Sequence, residues 1–351
     1  MIEYSNKGGV MMPLMQAAVF KGNGILQVEK IEIPKIQKSN QVLLKVRAAS
    51  ICGSDLHALH VPPGQVIRTG IIMGHEFFGD IVEVGSKAKN YKPGDCVVVN
   101  PCLPCGECWE CKHEMRNLCV TPRHYGQTCD GGFAEYVVVE ASQLYRVPNE
   151  INPDIAAQTE PLACVMRGME TITPLPTEHV LLYGAGPIGL TFIKVLKIFG
   201  IRHLAVVAKG TARIEQAKKC GADFVIDMQS NVADALQAAW GCGADVVIDA
   251  VGTGAILNEA IHLVNSRGRI LLFGLNHNAT SQVLPALFTQ KEIRLTGVLG
   301  KSFLPAIELL QDERLQLDEL VTHRFTLKDI NHALDLLRNK QASRVIVYPE
   351  L

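Results

Sequence analysis

The chain has 351 residues, 48% of them hydrophobic and 20% charged, with a formal net charge of −1. That length suits about two domains, and the near-zero charge gives no electrostatic basis for binding nucleic acid or an anionic membrane. No apolar run approaches the ~20 residues that span a bilayer, and eleven cysteines without a secretory signal point to a reducing compartment, read as the cytoplasm.

Residues before about Met12 read as a loose leader. From about Ala17 to Val147 short apolar runs such as QVLLKVRAAS, GDIVEVG, GDCVVVN and FAEYVVV are bounded by Gly-Asp and Pro-Gly turns. This pattern predicts antiparallel strands in a barrel-like domain. The same stretch holds Cys52-Gly53-Ser54-Asp55-Leu56-His57 and Gly74-His75-Glu76. It also holds Cys105, Cys108, Cys111 and Cys119 at the spacing C-x2-C-x2-C-x7-C. Four thiolates this close can converge tetrahedrally on one Zn²⁺ and leave no open position, so the site they predict is structural. A disulfide framework is disfavoured in a long chain without a secretory signal. Glu160-Pro161 follows, in QTEPLACV. A thiolate at Cys52, an imidazole at His75 and a carboxylate make a three-ligand zinc set with one position open.

The texture changes near Pro161. VLLYGAG, HLAVVAK, ADFVID, ADVVIDAVG and GRILLFG are buried-strand candidates separated by helical stretches, the pattern of a doubly wound parallel sheet in an α/β domain. Gly184-Ala185-Gly186-Pro187-Ile188-Gly189 follows the first of these strands and opens an apolar helix. That is the context in which G-x-G-x-x-G holds a dinucleotide pyrophosphate at a helix N-terminus. An NAD enzyme should carry an acidic residue ~20 positions on, gripping the ribose hydroxyl. Ala208 stands there, followed by Lys209, Thr211 and Arg213. Cations and a hydroxyl suit a 2′-phosphate, so NADP is expected in preference to NAD. After about Leu299 a short helical and strand tail ends in SRVIVYP. The expected division is therefore a sheet domain over 161–299, inserted between 1–160 and 300–351 of the first domain.

In this order CGSDLH, GHEFFGDIVEVG, the four-cysteine lobe, GGFAEYVVV, EPLACV and GAGPIG resemble the zinc-dependent medium-chain dehydrogenase/reductase family, the alcohol and polyol dehydrogenases. The resemblance runs from about residue 17 to the C-terminus. It implies a GroES-like β-barrel catalytic domain carrying the lobe at about 101–121, a Rossmann NAD(P)-binding domain, an active site in the cleft between them, and a homodimer or homotetramer. It implies two zinc ions per chain, one catalytic and one structural. By position, Cys52 and His75 would ligate the catalytic zinc, with Glu160 ranked ahead of Glu76 as the carboxylate ligand. Asp55 would orient His75, and Ser54 and His57 would relay the proton. Zinc would lower the pKa of the substrate hydroxyl, and hydride would pass to the nicotinamide from a secondary alcohol, a polyol, a sugar or a sugar derivative.

Sorbitol-type enzymes resembling this chain carry an Arg-Tyr pair where it reads GVLGKSFLP. Gly300, Lys301 and Ser302 stand there instead, which counts against sorbitol itself and leaves Lys301 and Ser302 as polar substrate contacts. The other readings are a threonine-type amino-alcohol dehydrogenase and a non-catalytic binding protein that keeps the fold. Cys96, Cys102, Cys129, Cys164, Cys220 and Cys242 read as core thiols.

Overall fold

In the computed structural model, residues 4–7 and 10–349 are described. The chain forms two compact units, one reaching Pro161 and resuming at Gln316, the other spanning Leu162–Leu315. The second crossing falls later than the sequence reading places it, at about 300. Ser302 is held by its own N–H, which donates to the Ala163 carbonyl, and the helix Phe303–Leu309 that follows belongs to the same unit.

The first unit is built on antiparallel strands. Its seven-stranded sheet runs in the order Leu144–Arg146, Cys96–Val99, Glu76–Val84, Gln41–Ser50, Arg344–Tyr348, Val321–Thr326, with Tyr136–Glu140 also paired to Gln41–Ser50. The strand Gln41–Ser50 is buried along most of its length, because its apolar side chains serve both faces. Register shifts at Leu43/Leu44 and Val46/Ala48 break its pairing with Glu76–Val84, the kind of irregularity that bends a strand into a barrel wall. Phe20, Leu44, Phe77, Ile81, Val97 and Phe133 fill the interior.

A three-stranded antiparallel sheet precedes it, Tyr4–Lys7, Val10–Gly22 and Ile25–Glu32. The loose leader expected before Met12 is thus corrected in part. Tyr4 to Lys7 pair backbone to backbone with Pro13 to Val10. The sequence YSNK carries no apolar alternation to announce this pairing.

The second unit has a six-stranded parallel sheet in the order Phe224–Asp227, His203–Ala208, His179–Tyr183, Ala244–Asp249, Val264–Leu272, Arg294–Gly297. Numbered along the chain this is 3-2-1-4-5-6, the doubly wound dinucleotide-binding arrangement. The central strands are buried on both faces, as crossover helices require. All five strands expected from the sequence are present. The sixth, Arg294–Gly297, is exposed at every position and lies at the sheet edge, so hydrophobicity gives no sign of it.

Candidate active site

Sheet register assembles the first group of functional residues. Ser50 pairs with Glu76 across antiparallel strands, and Ile346 pairs with Ser50 from the other side. The end of one strand and the starts of two others therefore meet. Cys52 follows the first strand, His75 immediately precedes the second and Glu76 opens it, and Arg344 opens the third. Ligand atoms of Cys52, His75 and Glu76 all lie within 4.8 Å of one another.

Asp55 ties this group together. It is 1% exposed and sits in the first turn of the helix Gly53–Ala58. Its Oδ2 accepts the Cys52 N–H at 3.0 Å, and its Oδ1 lies 3.3 Å from His75 Nδ1. One carboxylate thus holds the backbone of one donor and stands at ion-pair distance from the ring of another. Ser54 Oγ is 3.4 Å from His75 Nε2, and its backbone carbonyl accepts Gln65 Nε2 at 2.8 Å. His57 lies one turn further along the same helix and is exposed.

Charge and burial pull against each other here. Burial, reinforced by Glu76, pushes the Cys52 thiol pKa up. Burial pushes the Glu76 carboxyl up as well, against the pull of Arg344 and with the help of Glu160. Burial alone would lower His75, but Asp55 and Cys52 hold it well above the usual imidazole value. Arg344 is itself 3% exposed, and its Nη1 donates to Glu76 Oε2 and Ser50 Oγ, each at 3.1 Å. This guanidinium reaches Glu76, while Asp55 bears on Cys52 and His75 and Glu160 bears on Glu76. Uncompensated negative charge in a buried site is costly. A thiolate, an imidazole and carboxylates are donors that suit Zn²⁺, whose charge would offset it. The residues fit a zinc ion with an open position.

Glu160, in the first turn of the helix Thr159–Ile172, is buried and acts electrostatically on Glu76. The carboxylate brought into the group with Cys52 and His75 is nevertheless that of Glu76, whereas the sequence reading ranks Glu160 first. Glu76 is adjacent to His75 and fixed by register and by Arg344, and no spacing rule reveals either constraint.

The four-cysteine lobe is assembled locally. Cys105 Sγ is 3.9 Å from Cys111 Sγ, and Cys108 Sγ is 3.9 Å from Cys119 Sγ. Four thiolates about 2.3 Å from one zinc stand about 3.8 Å apart, far longer than a ~2.05 Å disulfide. The four sulfurs lie within 4.8 Å of one another. Amide donors from Glu107 and Cys108 pull the Cys105 thiol down to about 6, while burial pushes Cys111 up to about 12. Cys96, Cys102, Cys129, Cys164, Cys220 and Cys242 join neither group, among the described residues. Burial pushes the Cys96 thiol up to about 11, as expected of an inert core thiol.

In the second unit the glycine loop lies between the strand His179–Tyr183 and the helix Pro187–Ile198. Gly184 has φ +101°, which favours glycine. A Cβ at Gly189 would meet the Gly184 carbonyl oxygen at 1.9 Å, so the helix can pack against the turn only without one. Gly186 caps the helix and has nothing within 4 Å of its missing Cβ. That leaves an open approach to the amides of the first turn, where Pro187 and Ile188 follow, and the residues fit a pyrophosphate there. Ala208 ends the next strand, buried, and Lys209, Thr211 and Arg213 after it are exposed. Lys301 has an interaction partner, and the Ser302 hydroxyl donates to Glu170 Oε2 at 2.6 Å, so that hydroxyl is already committed.

Sequence reasoning misses Arg344, although a single cation heading the apolar run RVIVY is the available signal. It also misses His124, whose ring stands edge-on to His75 with centroids 6.3 Å apart.

Comparisons with known proteins match residues 38–149 to the alcohol dehydrogenase GroES-like domain and residues 187–312 to the zinc-binding dehydrogenase domain. The chain is 32% identical to the L-threonine 3-dehydrogenase of Pyrococcus abyssi over 331 residues, 91% of this chain and 94% of that one. It is 30% identical to D-arabinitol dehydrogenase 1 of Uromyces fabae over 344 residues, 95% and 97% of the two chains. Among solved structures it superposes on the alcohol dehydrogenase rspB of Escherichia coli CFT073, complexed with NADH, with a TM-score of 0.87 at 30% identity, covering 95% of this chain and 99% of that one. A zinc-binding dehydrogenase of Sinorhizobium meliloti 1021 bound to NADP gives 0.88 at 28% identity, covering 96% and 99%. No helix among the described residues is long and apolar enough to cross a membrane.

Proposed function

The chain belongs to the zinc-dependent medium-chain dehydrogenase/reductase family, and from that premise we propose that it oxidises the secondary hydroxyl of a polyol, sugar or sugar derivative with NADP as its preferred cofactor. The observation that carries the zinc-dependent reading is the convergence of Cys52, His75 and Glu76 around a buried position with Asp55 behind His75. Cys52, His75 and Glu76 hold a catalytic zinc, and Glu160 acts electrostatically on Glu76. Bound there, zinc supplies Lewis acidity that brings a substrate hydroxyl pKa towards neutrality, and the nicotinamide accepts the hydride. Asp55 keeps the His75 ring in its ligating orientation. Arg344 holds Glu76 in place. Ser54 and the exposed His57, one turn apart on one helix, carry the released proton to water. Cys105, Cys108, Cys111 and Cys119 hold a second, structural zinc.

Ala208 supports the cofactor preference. It offers the ribose hydroxyls no carboxylate, and Lys209, Thr211 and Arg213 are exposed beside it. Relatives named L-threonine 3-dehydrogenase favour a second reading, an amino-alcohol dehydrogenase, but the same strand end counts against an NAD enzyme of that kind.

A panel of polyols, sugar derivatives, secondary alcohols and threonine, run with both cofactors, tests the reading. Turnover with polyols and NADP is expected. Turnover of threonine alone would move the assignment to the second reading, and no turnover at all would sink both. Ala208→Asp should shift the ratio of kcat/KM for the two cofactors towards NAD by roughly tenfold or more, the equivalent of ~1.4 kcal/mol. An unmoved ratio would remove the basis for the NADP preference.

A further inference from the structure

A polyol differs from a simple secondary alcohol by the hydroxyl next to the one that reacts, and an enzyme that selects polyols needs a group to recognise it. Ser302, a sequence-level candidate for that role, has its hydroxyl committed to Glu170. His124 lies on the strand Arg123–His124, in the same unit as Cys52, His75 and Glu76. Its ring stands edge-on to His75 with centroids 6.3 Å apart.

The chain around His124 is built to hold it there. Its N–H donates to Thr128 Oγ1 at 2.7 Å, and its carbonyl accepts the N–H groups of Gln127, Thr128 and Cys129. The loop that follows is pressed against the turn preceding His75. Gly131 and Gly132 donate to the carbonyls of Ile72 and Gly74, both at 2.8 Å. A Cβ at Gly126 or Gly131 would meet the Gly74 carbonyl oxygen at 2.6 or 2.0 Å. This close approach of backbone to backbone fixes the distance between the two histidines, and the His124 residue is only partly buried. An imidazole offers either a donor or an acceptor to a hydroxyl. Two imidazoles at this separation can serve one small molecule, the first through a metal and the second through a hydrogen bond.

We propose that His124 recognises the hydroxyl vicinal to the reacting carbon and so selects vicinal diols and polyols over monohydric alcohols. This rests on the assignment of Cys52, His75 and Glu76 as the metal-binding site above. A site that hydrogen-bonds a substrate hydroxyl discriminates against the analogue that lacks it, because that analogue forgoes the bond.

The test compares 2,3-butanediol with 2-butanol, which differ by the second hydroxyl, on zinc-loaded wild type, His124→Phe and His124→Gln. Wild type should favour the diol in kcat/KM by roughly tenfold or more. His124→Phe should lose that preference, with kcat/KM for 2-butanol within about threefold of wild type, and His124→Gln, which keeps a hydrogen-bonding group, should recover part of it. Thermal shift gives a readout independent of turnover. The diol should raise the Tm of zinc-loaded, cofactor-free wild type and His124→Gln but not of His124→Phe, with zinc content equal in all three. A wild type with no preference for the diol, or a His124→Phe that loses both substrates in equal proportion, overturns the proposal. A wild type that oxidises no alcohol with either cofactor defeats the functional reading itself.

Discussion

The first unit holds two cysteine-bearing clusters made in opposite ways. The lobe draws all four thiols from one short stretch, Cys105 to Cys119, and orients them with its own turns and amides. The Cys52 group draws its members from separate strand ends and is held by Arg344, 268 residues from Glu76. The electrostatics differ accordingly. Local amide donors leave Cys105 poised as a thiolate, its pKa lowered to about 6, whereas burial beside Glu76 raises Cys52. Four thiolates saturate a tetrahedral ion and leave nothing to react. One thiolate, one imidazole and one carboxylate leave a position for substrate. The comparison teaches that the cluster easiest to see in the sequence is assembled by spacing alone, and that the Cys52 group, the proposed working site, exists only once the sheet has set its register.

Substitutions can break this contrast. The largest effect is expected for Cys52→Ser, which should lower kcat by on the order of 10³-fold or more while leaving the lobe and the fold intact. Turnover near wild type would remove Cys52 from the reaction. Cys111→Ser should act in the other direction. With three thiolates left, the lobe gives up its zinc and Tm falls by roughly 5–10 °C, while kcat of the surviving folded protein stays within about twofold. A thermal scan followed by assay of the soluble fraction checks both halves, and a large loss of kcat without loss of stability would mean that the lobe takes part in chemistry.

The smallest effect sharpens the comparison through pH. In chelator-treated folded protein Cys105 should alkylate with a midpoint near 6, because the depressed pKa keeps its thiolate present above that value. An unfolded thiol reaches the same state only near ~8.5. Cys111, pushed up to about 12, should stay unreactive at pH 7. Peptide mapping after iodoacetamide at pH 7 should therefore find Cys105 labelled before Cys111, and equal labelling would contradict the amide-donor account of the lobe.

Much of this was legible before any coordinates. The lobe and the glycine loop are local patterns whose residues spacing alone brings together, and the doubly buried strands from VLLY to ILL announce a parallel sheet by composition. Features set by long-range pairing were not legible. Arg294–Gly297 is an exposed edge strand without apolar signature. Tyr4–Lys7 pairs with Val10–Pro13, and its sequence YSNK has no strand-like alternation. Arg344 meets Glu76 only because Arg344–Tyr348 lies beside Gln41–Ser50, and His124 meets His75 through a glycine-lined contact between loops far apart in sequence. The grouping of Glu76 with Cys52 and His75 likewise follows from the pairing of Glu76 with Ser50.

Zinc content per chain, measured on wild type, Cys52→Ser and Cys111→Ser beside their turnover, tests the division of labour most directly. The account predicts two zinc ions in wild type and one in each variant, with turnover lost only in Cys52→Ser. One zinc in wild type, or two in Cys52→Ser with turnover retained, would contradict it.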